Sequence, residues 1–175
     1  MAELPALFKQ RLDETKASYT QVGSSGLRVS VPILGGMSFG HKAWRSWVED
    51  DEDKVGILLK GAYDRGLNTW DTANAYSGGV SEAMIGRAIK KHKIPRHKLV
   101  ILTKCFFPAV EQPAVRFLSY PECFANHKDY VNQYGLSRAA IFNAVNASLE
   151  RLQTDYIDLL QIHVQNQLIP SAVDY

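Results

Sequence analysis

Apolar and polar positions along the chain follow a recurring rhythm, in which short apolar runs are separated by stretches of helical periodicity. Tyr19-Thr20-Gln21-Val22 and Leu27-Arg28-Val29-Ser30 flank Gly23-Ser24-Ser25-Gly26, which predicts a β-hairpin with a four-residue turn. Residues 31–36 predict a short buried strand ending in two glycines. The acidic run at 49–53 places negative charge at the start of a helix. Behind it, Val55, Leu58, Leu59 and Ala62 form an i, i+3, i+4, i+7 stripe that Gly66 would stop. Residues 67–70 predict the next strand. A helix follows over 81–91, starting at Ser81-Glu82, with Met84, Ile85, Ala88 and Ile89 as its apolar face. The continuous apolar run at 99–102 is the mark of a strand covered on both faces. A long polar and aromatic stretch at 106–136 interrupts the rhythm. Ser137 then caps a helix to about Leu152, with Ile141, Val145, Ser148 and Leu152 at helical spacing, and residues 156–163 predict a fourth strand. The order β-α-β-α-β-insertion-α-β predicts a parallel α/β sheet with right-handed crossovers. Periodicity alone leaves a doubly wound sheet and half of a barrel equally open.

Composition narrows the class. The chain has 175 residues, 46% hydrophobic and 22% charged, and a domain of that size buries roughly 68–70% of its unfolded surface. Disordered, collagen-like and disulfide-scaffold classes are excluded. A formal charge of +2 is too mild for a nucleic-acid partner. The densest basic group, Lys90, Lys91, His92 and Lys93 with Arg96 and Lys98, reads as a solvated helix end. Two cysteines, Cys105 and Cys123, show no spacing suited to zinc, so no metal is expected. With no 18-residue apolar run and no signal-peptide core at the N-terminus, the expectation is a cytoplasmic protein without a membrane partner.

The strand ends carry the chemistry. Asp71 ends the second predicted strand, Lys104 the third and His163 the fourth, while Tyr76 lies five residues after Asp71. In parallel α/β folds the C-terminal strand ends face the active site, and barrel enzymes gather catalytic groups there from several strands. Each residue alone has an ordinary structural use. Three titratable groups at three successive strand ends are hard to place as core packing.

Residues 66–90, GLNTWDTANAYSGGVSEAMIGRAIK, closely resemble the signature of the aldo-keto reductase family. LTK at 102–104, LLQIH at 159–163 and MSFG at 37–40 resemble the family's other active-site segments, in the expected order. The wording is nearest the microbial and fungal, aryl-alcohol dehydrogenase-like branch, which is similar to the channel β-subunit branch. The resemblance implies a (β/α)8 TIM barrel, of which this chain carries the β-hairpin and about four βα units. Residues 1–18 would be an extension, 19–163 the N-terminal half of the barrel, and 164–175 a tail departing from the family pattern. It implies NADP(H)-dependent reduction of a small aldehyde or ketone. Tyr76 would be the proton donor to the carbonyl oxygen. A phenol ionises near pH 10, and the Lys104 ammonium would lower that value. Asp71 would pair with Lys104 and lie beside the nicotinamide ribose. His163 would hold and orient the substrate carbonyl. Gly36, Met37 and Ser38 would line the nicotinamide half of the cofactor. Trp44, Trp47, Phe106, Phe107, Phe117 and Tyr120 would wall a substrate pocket or else pack the barrel rim. Cys105 is read as a buried bystander rather than an activated thiol.

A barrel of this kind needs about 250 residues, and in the family the later strands supply the carboxamide contacts, the ring stacked on the nicotinamide and the 2′-phosphate loops. The expectation is therefore a truncated, frameshifted or alternatively spliced product, or an incorrect gene model. Two functional readings follow: a reductase, active once its barrel is completed, or a catalytically silent binding or regulatory remnant. Exposed edges at the first and fourth strands would favour self-association.

Overall fold

A computed structural model of the chain describes residues 4–164; the tail expected to depart from the family lies, from 165 onward, outside them. Helix α1 (Ala6–Glu14) precedes the hairpin and buries none of its residues. Strands β1 (Ser18–Gln21) and β2 (Arg28–Val31) pair antiparallel, Ser18 opposite Val31 and Gln21 opposite Arg28. The Val22 N–H donates to Leu27 O across the expected turn (2.9 Å). The hairpin is fastened to the sheet by reciprocal bonds: Ser30 N–H to Thr69 Oγ1 at 2.8 Å, and Thr69 N–H to Ser30 Oγ at 3.2 Å.

Four parallel strands follow, β3 (Leu34–Gly35), β4 (Thr69–Asp71), β5 (Val100–Cys105) and β6 (Leu159–Ile162), in that spatial order. They alternate with α2 (Glu52–Asp64), α3 (Val80–Lys91) and α5 (Arg138–Leu152). The strand expected over 31–36 shrinks to two residues. Val31 belongs to the hairpin, and Pro32 has no N–H to give to a ladder.

Local signals set the helix ends. The Asp51 carboxylate caps α2 by accepting from the N–H groups of Asp53 and Lys54. Ser137 Oγ accepts from Ala140 N–H at the start of α5. Gly66, at φ 91°, ends α2 where a Cβ would strike Thr15 and the Tyr19 hydroxyl. Helix α3 starts one residue earlier than the sequence suggests, at Val80 after a left-handed Gly79.

The main core lies between sheet and helices: Val55 and Leu59 from α2, Met84, Ile85, Ala88 and Ile89 from α3, Trp70, Ile101 and Leu152. Burying each large apolar side chain contributes about 1.5–3 kcal/mol. Leu58, expected in the buried stripe, is 51% exposed, because the contact seam of α2 runs through Val55, Gly56, Leu59 and Ala62. Helices α3 and α5 meet at Gly86, where a Cβ would lie 2.5 Å from Arg151 O. The stretch 106–136 folds over the C-terminal strand ends around its own small core of Val110, Phe117 and Phe124, with the short helix α4 (Pro121–Ala125) inside it.

Arg96 is not part of a solvated basic end. Its guanidinium donates to Asp158 at 2.7 Å, Thr154 Oγ1 at 2.9 Å and the carbonyls of Leu99 and Tyr156, and it stacks 3.9 Å from the centre of the Tyr156 ring. It ties the entrance of β5 to that of β6. Strand β6 forms one edge of the sheet, with Leu160 and Ile162 exposed. No helix among the described residues is long and apolar enough to cross a membrane.

Candidate active site

Strand periodicity and register bring the site together. In the parallel ladder Asp71 pairs with Leu102, and Lys104 pairs with Gln161. Side chains two residues apart share a face, so Asp71, Lys104, Gln161 and His163 all project toward the same side of the sheet, at its C-terminal end.

There the Lys104 ammonium directs its three donors at three oxygens: Asp71 Oδ2 at 2.6 Å, Thr72 O at 2.8 Å and the Tyr76 hydroxyl at 3.3 Å. The second Asp71 oxygen accepts from Gln161 Nε2 at 2.7 Å. Tyr76 opens a short turn after β4, in which Ser77 and Gly78 adopt positive φ. Gly78 is required there, since a Cβ would fall 2.1 Å from Val110 O. Ser77 Oγ accepts from His41 N–H at 3.1 Å, which docks the β3–α2 loop against this turn.

His163 follows β6 and is held by its N–H, which donates to Cys105 O at 2.9 Å. Its ring lies 5.7 Å from Tyr76, edge-on at 89°, and 5.1 Å from Phe107. Its Nδ1 is buried without a hydrogen-bond partner among the described residues. Burial, reinforced by the nearby Lys104 charge and partly opposed by Asp71, pushes its pKa below the usual 6.5, so the imidazole is neutral at pH 7.

A pocket of about 420 Å³ opens over Tyr76 and His163, walled by Met37, Trp44, Phe107 and Phe117. Trp44, Phe107 and Phe117, read from the sequence as walling a substrate pocket or else packing the barrel rim, are among its lining residues. Trp47 stands behind Trp44, 6.1 Å away, and Phe106 is buried beneath Phe107. Tyr120 faces a neighbouring pocket with Phe124 and Tyr130. Gly36 donates its N–H to Asp71 O at 2.7 Å, and its carbonyl accepts from the Ser81 hydroxyl. Met37 and Ser38 follow it, both exposed, with Met37 in the pocket wall. Cys105 is buried, and burial pushes its thiol pKa up, away from activation. Gln161 was missed as a site residue. The signal was present, since a strand residue two positions before His163 must share its face.

The sequence model of the Aldo/keto reductase family matches residues 33–171. An aldo-keto reductase of Fusarium vanettenii is 48% identical over 98% of this chain and 47% of its own length. The versiconal hemiacetal acetate reductase of Aspergillus parasiticus is 47% identical over 83% of this chain and 41% of its own. Among solved structures, the holo form of a Bacillus halodurans aldo-keto reductase superposes with a TM-score of 0.64 at 30% identity, covering 88% of this chain and 42% of that one. The chain spans about half the length of the curated relatives it matches. Its four-stranded sheet is part of a (β/α)8 barrel, and the chain belongs to the aldo/keto reductase family.

Proposed function

We propose that this chain carries the proton-donating site of a carbonyl reductase, acting on an aldehyde or ketone with NADPH as reductant. The observation that supports it most is the Lys104 ammonium, bonded at once to Asp71 and to the hydroxyl of Tyr76, a residue that lines one pocket together with His163. When bound, a reduced nicotinamide supplies the hydride for the carbonyl carbon. As negative charge develops on the carbonyl oxygen, Tyr76 donates its proton there, and the adjacent Lys104 ammonium stabilises the phenolate left behind. Asp71 holds Lys104 in place, and Gln161 holds Asp71. Neutral His163 offers a ring nitrogen to orient the carbonyl oxygen.

The residues present fit the nicotinamide end of such a cofactor. Gly36, Met37 and Ser38 run past the end of β3 beside Asp71, and exposed Met37 lines the pocket shared by Tyr76 and His163. A flat ring would have an apolar surface to lie against and a carboxylate near its ribose. The buried His163 Nδ1 has no hydrogen-bond partner among the described residues, which leaves a polar position open beside the pocket.

A second reading, a catalytically silent binding or regulatory role, is favoured by the apolar groups left open on β6, Leu160 at 43% and Ile162 at 58% exposure. Such an edge pairs readily with another strand, here that of a second copy. Fluorescence titration of the 175-residue protein with NADPH, with light scattering on the same sample, separates the two. Micromolar binding followed by aldehyde-dependent oxidation of NADPH supports the reductase. A soluble oligomer that neither binds nor oxidises NADPH supports the silent role.

A further inference from the structure

The pocket over Tyr76 and His163 is apolar along most of its wall, yet its charged lining is all of one sign. Arg45 and Arg116 line it, and no aspartate or glutamate does. The guanidinium groups of Arg87, Arg96 and Arg151 each hold a carboxylate, while Arg11, Arg28, Arg65 and Arg138, outside this pocket, hold none among the described residues. Among the described residues neither Arg45 nor Arg116 has an acidic partner.

Each stands next to an aromatic residue of the pocket wall. The Arg45 guanidinium sits 5.6 Å from the centre of the Trp44 ring, and Trp44 lies 6.1 Å from Tyr76. Arg116 immediately precedes Phe117, which is buried against Phe107 at 5.7 Å, and Phe107 in turn packs on His163. The two arginines thus come from different loops, one after β3 and one within the 106–136 insertion. The adjacent pocket in that insertion, of about 620 Å³, has the opposite character, with Glu111 and Asp129 in its wall beside His127. Of these two neighbouring cavities, only the one that reaches Tyr76 offers unpaired cations.

A guanidinium matches a carboxylate through two parallel N–H···O bonds. An apolar molecule with its carbonyl at Tyr76 and His163 would lie in the same pocket as these two groups. We propose that the pocket selects an anionic substrate, an elongated apolar aldehyde or ketone bearing a carboxylate away from its carbonyl, with Arg45 and Arg116 binding that carboxylate. This rests on the reductase reading for which end of the molecule lies at Tyr76.

The test is isothermal titration calorimetry of the 175-residue protein with 4-carboxybenzaldehyde and with the methyl ester of that acid. The acid is expected to bind about 10-fold more tightly than the ester, equivalent to ~1.4 kcal/mol. The preference shrinks as salt screens the charges. Arg45→Gln and Arg116→Gln each lower the acid-to-ester ratio several-fold, and Arg116→Lys, which keeps the charge, recovers part of it. Equal affinities, a preference that survives both substitutions, or no binding of either compound at millimolar concentration overturns the proposal. NADPH-dependent reduction measured on the same samples keeps the two readings apart. Reduction of both compounds without preference leaves the reductase and removes the anion site. An arginine-dependent preference without reduction of either leaves the anion site and removes the reductase.

Discussion

Two acid–base pairs hang from adjacent residues of β5 and face opposite sides of the sheet. On the helix side the Thr103 hydroxyl donates to Glu82 Oε1 at 2.6 Å, and Arg151 Nε donates to Oε2 at 2.8 Å. Glu82 has no exposed surface at all. On the pocket side Lys104 holds Asp71 at 2.6 Å, with 14% and 27% of their side chains still exposed. The chemistry is the same, and what remains unused differs. Both Glu82 oxygens are taken by protein donors, and the cluster joins α3, β5 and α5; the small cavity of about 180 Å³ beside it reaches Arg151 but not Glu82. The Asp71–Lys104 pair instead bonds the hydroxyl of Tyr76, which lines a pocket next to His163, whose Nδ1 has no partner among the described residues. The ion pair is common to both clusters; what sets the pocket side apart is that its pair stays partly exposed, with a cavity lined by Tyr76 and His163 next to it.

The contrast can be broken from either side. Glu82→Ala strands the Arg151 charge and the Thr103 hydroxyl against the core, and is expected to cost about 3–5 kcal/mol of stability, read as a lowered urea midpoint. If the midpoint stays put, the helix-side pair is not the strut described. Tyr76→Phe is the mirror test. It removes one hydroxyl that touches the pocket, and should leave the urea midpoint within about 1 kcal/mol while slowing carbonyl reduction about 10²–10⁴-fold. Full reduction by this variant removes Tyr76 as the proton donor.

Gln161→Leu has a smaller expected effect. It releases one Asp71 oxygen and costs about 1 kcal/mol of hydrogen bonding. A positioning role predicts a lower kcat at nearly unchanged KM and a shifted pH–rate profile, both partly restored in Gln161→Asn. Loss of stability alone, with kinetics intact, would make Gln161 structural only.

The smallest effect concerns His163. Its folded pKa lies below the unfolded 6.5, so between those two values the unfolded chain binds more protons than the folded one. Stability from the neutral imidazole is complete above about pH 6.5 and is lost as pH falls through the folded value. His163→Gln should flatten that part of the stability–pH curve, measured as urea midpoints across mildly acidic pH. A slope that survives the substitution belongs to another group.

Most of the helical framework was legible because it is locally determined. Asp51 and Ser137 cap with their own side chains, Gly66 stops α2 through its own backbone freedom, and the α3 stripe from Met84 to Ile89 packs as its spacing demands. The candidate residues Asp71, Tyr76, Lys104 and His163 were legible because strand period and strand order place them at one end of the sheet. Leu58 shows where periodicity overreached, since it reports a face but not how much of that face a neighbour covers. Residues 106–136 were opaque for a related reason. Their core is built from aromatic side chains on irregular backbone, which have no period to detect.

The sequence by itself determined the order of the elements, their caps and stops, and the chemical types that arrive at the strand ends. Each of these depends on residues within a few positions of one another. Only the tertiary structure decided which polar atoms meet. Asp71 and Gln161 are 90 residues apart, Glu82 and Arg151 69, and Arg96 and Asp158 62. A buried donor or acceptor must find a partner or cost stability, but the pattern of apolar positions records only that a face is buried. Which partner satisfies it, and whether a cavity is left beside the pair, is fixed when the sheet and helices close on one another.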